Sequence, residues 1–420
     1  MLPDYVKNCI HKIAKSEGFT DYSIQLKAGS SHGDNFLGIM IAVTLSGTRR
    51  QQNGVIRSEE LHLLCKTPPT NEARQKHFHA SVAFSREIYM YTKLLPAFVQ
   101  FQREKGLNDI DAFVSFPKVF VCEMNEETGS FTLIMEDLRP KHFEMWPKNK
   151  TVALDHELLV MRELAKFHAV SFAMKDQCPN KFREFKQLKD TFVNVFIKDT
   201  LITLLPNLIE NAIDLLEKPD HKKIMQNFRK NYLERADKLK TDPYCDEFGV
   251  ITHGDCWNNN FMFQYTDETK KQLKSICLVD WQLSHYSPPV IDLLYNIFTG
   301  TDHEFRAQHY ETLLKTYHTS LSDTIRKLGS DPDKLYTYDD LIMQMKKFSD
   351  YALLLAPLII SIRVAKAKDI SNLDEYAEHC ERNESVEMLG KFDDDTQAEF
   401  SRLMNGLLTD LVDYGYVKCE

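Results

Sequence analysis

The sequence predicts an α+β protein of two lobes, with an antiparallel, strand-rich N-terminal lobe over residues 1–137 and a mostly helical C-terminal lobe over residues 138–420. Three observations carry this. Short apolar runs of period two, separated by turn formers, dominate the first 137 residues. Long runs of helical period dominate from about residue 155 onward. At 420 residues the chain is too long for one compact core.

The N-terminus, MLPDYVKNCIHKIAKSEGF, reads as a short amphipathic helix; it lacks the uninterrupted apolar core of a signal peptide. Strands follow at Ile39 to Leu45, Glu60 to Cys65, Val119 to Glu123 and Phe131 to Glu136, interrupted by a helix from about Ser81 to Phe98. The joint between lobes falls in Asp137 to Lys150. Helices are expected at Asp155 to Met174, Lys189 to Leu216, Ile224 to Lys240, Glu304 to Lys327 and Asp339 to Lys366.

Composition narrows the class. Hydrophobic residues at 43% and charged residues at 27% are those of a soluble globular chain. A formal net charge of -9 argues against nucleic acid, whose phosphates need a surplus of Lys and Arg. The 9 cysteines show no CxxC pair and no metal-ligand spacing, so free thiols in a reducing, cytoplasmic compartment are expected. The most apolar run, Ala352 to Ile362, contains a proline and is about half the roughly 20 residues a membrane span needs.

The stretch VITHGDCWNNNFMFQY, Val250 to Tyr265, sets His, Asp and three Asn between apolar runs. Asn and Asp favour loops, so Thr252 to Asn260 reads as a loop feeding a strand, Phe261 to Tyr265. An ordinary Asn-rich turn has the same composition. A second strand, Ser275 to Val279, ends in Asp280. If the two strands pair antiparallel, Asn260 and Asp280 face one place, and their two oxygens make a partial site for a hard divalent cation completed by phosphates and water. Asp255, five residues before Asn260, then lies within reach of a substrate hydroxyl. Such a layout suits phosphoryl transfer, where positioning and charge neutralisation carry the chemistry.

HGDCWNNN with LVDWQ resembles the catalytic and metal-binding loops of the protein-kinase-like fold in its aminoglycoside and choline kinase branch, with Gly254 replacing an Arg and Trp281 and Gln282 replacing Phe-Gly. Together with LIMEDL (133–138) and ELAKFHAVSFAM (163–174), these motifs are similar to the insect ecdysteroid-kinase-like family over roughly residues 29–300. The resemblance implies Asp255 as catalytic base, Asn260 and Asp280 as Mg2+ ligands, and His253 as support for the loop. It also implies ATP as cofactor, with Lys66 at the phosphates and Glu87 as its partner. Glu87 falls within the apolar helical face of Phe84, Ile88, Tyr91 and Leu95, and a buried carboxylate there needs a cation. A surface Lys and an edge-facing Glu are the alternative.

KAGSSHGDNFLG, Lys27 to Gly38, sets three glycines in a strand-turn-strand context and makes Gly29 and Ser30 candidates for the phosphates, although most such runs are plain hairpin turns and this one does not match GxGxxG. Glu136 and Leu138, at the joint, are implied to bind adenine through their main chain; the alternative is a solvated linker. His168 reads as a buried, hydrogen-bonded histidine and Asp292 as a brace for the catalytic loop. The implied activity is transfer of a phosphoryl group to a hydroxyl of an ecdysteroid, another lipophilic alcohol or a foreign compound. Two rivals stand beside it. A choline or ethanolamine kinase wants an aromatic and acidic cage, and acidic runs such as Asp393 to Asp395 read as solvated surface. A catalytically dead relative binding a hormone or a partner protein has no need of the set Lys66, Glu87, Asp255, Asn260 and Asp280.

Overall fold

The structure, a computed structural model, describes residues 2–30, 37–50, 56–125, 130–266, 269–270, 272–384 and 386–418. Most of the run between Lys27 and Gly38 lies outside these residues. Five strands, β1 (Phe19–Ala28), β2 (Ile39–Arg50), β3 (Ile56–Thr67), β4 (Val119–Asn125) and β5 (Ser130–Glu136), form an antiparallel sheet in the order β1-β2-β3-β5-β4. β1 carries Tyr22, Ile24 and Leu26 at period two, and it pairs with β2 from Phe19 to Ala28. The helix Asp4–Ser16 lays Val6, Ile10 and Ile13 on this sheet against Val43, Leu45, Leu63 and Cys65.

The helix expected at Ser81 to Phe98 is longer and interrupted. It runs as Ala80–Tyr89, a π-helical turn Met90–Leu94, and Leu95–Glu104. Pro96 has no N–H to donate backward, and the wider turn absorbs that loss. Beyond β5 the chain becomes mainly helical, with Leu154–Gln177, Pro219–Thr241, His303–Lys327 and Asp350–Val364 among the long elements.

Two helical expectations need correction. Lys189 to Leu216 is not continuous: a π-helical turn Phe192–Phe196 and a stretch of turns precede Leu204–Leu215. Val193, Val195, Ile197, Thr200 and Ile202 are β-branched and resist a regular helix. Asp339 to Lys366 is two helices, Tyr338–Lys347, opened by a capping box of Thr337 and Asp340, and Asp350–Val364. Asp393 is a helix cap rather than solvated surface alone. Its carboxylate accepts from the Thr396 amide at 3.1 Å at the start of Asp394–Asp413.

Two small sheets interrupt the helices. β6 (Phe143–Met145), β8 (Phe261–Tyr265) and β9 (Leu273–Leu278) form one in the order β6-β8-β9, and β7 (Val250–Thr252) pairs with β10 (His285–Ser287). The β8–β9 pairing is antiparallel, with Phe261 opposite Leu278. That register brings the residue before β8 beside the residues after β9. The eight described cysteines are free thiols. Among the described residues no helix is long and apolar enough to cross a membrane.

Candidate active site

The loop between β7 and β8 is held from beneath by one carboxylate. Asp292, in the first turn of Val290–Gly300, accepts from the His253 amide at 2.7 Å and the Gly254 amide at 2.9 Å. His168 Nε2 lies 3.1 Å from the same carboxylate and its Nδ1 lies 2.8 Å from the Tyr317 hydroxyl. Burial works against the Asp292 charge, yet His168, His253 and the Gly254 amide hold the carboxyl below its ordinary value. Asp292 and His168 are thus the brace and the buried histidine that the sequence led us to expect. Gly254 has φ of +80°, and a Cβ there would sit 2.3 Å from the Leu283 carbonyl oxygen, so no side chain fits.

His253 fixes the loop from inside. Its Nε2 lies 3.1 Å from the Val279 carbonyl and its Nδ1 is 3.3 Å from the Asp255 amide, a pattern that assigns the proton to Nε2. Burial works against its charge and lowers its pKa. Asn260 is pinned by the bond from the Val279 amide to its carbonyl at 3.0 Å. Its Nδ2 donates to both the carbonyl and the Oδ2 of Asp255, each at 2.9 Å.

Asp255 Oδ1 accepts from the Tyr295 hydroxyl at 2.7 Å. Burial first, and the nearby Asp280 charge second, push the Asp255 carboxyl up to about 7 against the bonds from Tyr295 and Asn260. Asp280 follows β9 in a left-handed conformation, φ +66°, that turns its side chain back toward the sheet. There its Oδ1 meets Lys66 Nζ at 2.8 Å, and Lys66 Nζ meets Glu87 Oε2 at 2.7 Å. Lys66 and Glu87 are 3% and 2% exposed, which makes theirs a buried pair rather than a surface contact, with the half-buried Asp280 on its open side. Burial opposes the lysine charge, but Asp280 and Glu87 outweigh it and raise Lys66 above its usual value. Glu87 is itself raised by burial, with Lys66 pulling the other way.

Arg86, beside Glu87, bonds the Ser284 carbonyl and, at 3.0 Å, the Lys189 carbonyl. This ties the Glu87 helix to the turn after Asp280. Gly38 lies against Lys66, since a Cβ there would sit 3.3 Å from Lys66 Cγ.

Two cavities meet here. A cleft of about 110 Å³ carries Gly38, Lys66, Asp255, Asn260, Asp280 and Gln282 beside apolar side chains such as Leu37 and Trp257. An apolar chamber of about 130 Å³ is lined by Phe78, Phe192, Phe196, Leu201, Leu358 and Met388 among others. Leu37, Asp255, Tyr295, Ile359 and Ile362 belong to both walls.

The other candidates lie outside the cleft wall. Gly29 follows β1, where its amide donates to the Met40 carbonyl at 2.9 Å and its carbonyl accepts from Arg139 at 3.1 Å. Ser30 is half-buried next to it. Glu136 ends β5 and pairs with Lys141 at 2.5 Å. Leu138 packs with Phe143 and Cys277, and its carbonyl accepts from the Lys141 amide at 2.9 Å. The sequence reading missed Tyr295, Ile359 and Ile362. Tyr295 had a signal: it follows Asp292 by one helical turn and shares its face.

A sheet-borne lysine thus meets a hairpin-borne aspartate across the seam between an antiparallel region and a helical one. The chain belongs to the ecdysteroid kinase-like family, whose profile matches residues 32–330, and this membership sets it among small-molecule kinases. No curated protein matches it. Among solved structures, a mutant of aminoglycoside 2′-phosphotransferase-IIIa in complex with GDP is similar at 12% identity and TM-score 0.42, covering 97% of this chain and 98% of its own. The AMP-bound spectinomycin phosphotransferase is similar at 12% identity and TM-score 0.31, covering 76% of this chain and 93% of its own.

Proposed function

We propose that the protein transfers the γ-phosphoryl group of ATP to a hydroxyl of an uncharged, lipophilic small molecule. The observation that carries this reading is the apolar chamber opening onto Asp255 beside the Lys66–Asp280 pair. Asp255 orients the acceptor hydroxyl and takes its proton; a carboxyl raised to about 7 is matched to that task near neutral pH. Lys66, held charged by Glu87, meets the phosphates. Glu136 and Leu138, between the sheet and the helices, offer main-chain groups to adenine, and residues 1–137 and 138–420 act as the two lobes. Gly29 and Ser30 offer backbone groups to the phosphates.

The residues fit magnesium. Asn260 spends its Nδ2 on Asp255, which leaves its Oδ1 as the ligand atom, and Asp280 supplies a carboxylate. Two protein oxygens are what a hard cation that keeps water and phosphate oxygens requires. When bound with the nucleotide, the ion neutralises phosphate charge.

The chamber favours an ecdysteroid-like or other lipophilic alcohol over choline. Asp255 is the only carboxylate in its described wall, and that group is engaged by Tyr295 and Asn260. A trimethylammonium group has no acidic cage there. The test is transfer of label from γ-labelled ATP with magnesium to neutral sterols, phenols and choline. Label on neutral apolar alcohols, with choline at background, supports the reading. Preferential labelling of choline, or nucleotide binding with no labelled alcohol in a broad panel, overturns it.

A further inference from the structure

We propose that Tyr295 is a positioning residue that holds the Asp255 carboxylate against water until an acceptor alcohol displaces it. The inference rests on the phosphotransfer reading and adds to it a guard against ATP hydrolysis. Tyr295 is 3% exposed and stands in the wall shared by the cleft and the apolar chamber. Its hydroxyl donates to Asp255 Oδ1 at 2.7 Å while Asn260 holds Oδ2 at 2.9 Å. Both oxygens of the carboxylate therefore already have a donor. An acceptor hydroxyl that donates to Oδ1 along the same direction has to take the phenol's place.

Water and an alcohol are not equal competitors for that place. Displacing the phenol breaks a hydrogen bond to a carboxylate, and an incoming water only replaces it. An apolar alcohol also buries its carbon skeleton against Phe192, Phe196 and Leu358, which favours displacement in proportion to the area removed from water. Closing the carboxylate to water suppresses one reaction. In it, the water oxygen bonds to the γ-phosphorus, the bond from that phosphorus to the β–γ bridging oxygen breaks with its electron pair leaving on ADP, and the water proton passes to Asp255.

Tyr295→Phe tests this in the full chain with ATP and magnesium. Acceptor-independent ATP hydrolysis should rise by roughly tenfold or more, the scale of one hydrogen bond to a charged group. For an accepted alcohol, KM should fall while kcat changes little, because no phenol has to be displaced. Adding Asp255→Asn should return hydrolysis to the wild-type level. A purely structural role predicts instead that hydrolysis and transfer fall together, and that result, or unchanged hydrolysis, overturns the proposal. Tyr295→Met, apolar and without a donor, gives the same reading should the phenylalanine variant melt early. If the wild type neither binds ATP nor transfers phosphate, the phosphotransfer reading fails. If it transfers phosphate and hydrolysis stays flat in both variants, only the guard fails.

Discussion

The cleft and the apolar chamber share five wall residues yet are built in opposite ways. Of the cleft's ionic and amide groups, Asp255, Asn260 and Asp280 come from one loop and hairpin, while Lys66, with its partner Glu87, comes from far along the chain. Each of these polar groups has a named partner within hydrogen-bond distance. The chamber gathers Phe78, Phe196, Leu358 and Met388 from four separated segments, with no directional bond among them. Burying ionic groups demands fixed partners at fixed spacing, whereas an apolar wall needs only volume and surface. The cleft is therefore the part of a site that specifies a reaction, and the chamber the part that is free to specify a substrate.

The largest effect that would sharpen this contrast lies at the shared wall. Asp255→Asn should keep ATP and magnesium affinity nearly unchanged and lower turnover by roughly 10²- to 10⁴-fold, the contribution of a positioned general base. Titration calorimetry beside single-turnover transfer checks it, and equal loss of nucleotide affinity would merge the roles we separate. Lys66→Met comes next. It leaves Glu87 buried without its cation and should cost about 3–5 kcal/mol of stability. Glu87→Gln added to it should recover part of that loss in chemical denaturation, and no recovery would mean that the pair does not stabilise the cleft.

A smaller effect lies away from both cavities. Glu157 is fully buried, neither of its carboxyl oxygens has a hydrogen-bond partner, and burial, partly offset by Arg363, pushes it up to about 8. An acid with a raised folded pKa keeps its proton while the unfolded chain loses it. Stability from this group is therefore full at low pH and is lost as pH rises from about 4.5 toward about 8, by up to about 1.4 kcal/mol per unit. Glu157→Gln should flatten that fall in melting temperature and exceed the wild type near the alkaline end. Parallel pH profiles would show that Glu157 ionises freely.

This difference in construction also decides what could be read from the sequence. The loop and hairpin were legible because HGDCWNNN and LVDWQ keep their chemistry within a short span, and β8 and β9 have apolar runs. Glu87 was legible because a carboxylate stood on an apolar helical face. The chamber was not legible: Phe192 and Phe196 look like ordinary helix core until the π-helical turn re-aims them, and Ile359 lies in a helix buried on all sides. The last helix, Asp394–Asp413, did carry a signal in Phe400, Leu403, Met404, Leu407 and Leu411, which the acidic run ahead of it obscured.

The division of labour itself can be tested by crossing two variants with two ligands. Asp280→Ala alters only the cleft wall and Phe196→Ala only the chamber wall, and binding of ATP with magnesium and of an accepted neutral alcohol is measured by calorimetry for each. We predict that Asp280→Ala loses the nucleotide and keeps the alcohol, while Phe196→Ala keeps the nucleotide and loses the alcohol roughly tenfold or more, the scale of one truncated aromatic contact. If both variants lose both ligands alike, cleft and chamber are one structural unit, and the assignment of phosphoryl transfer to one and acceptor recognition to the other is contradicted.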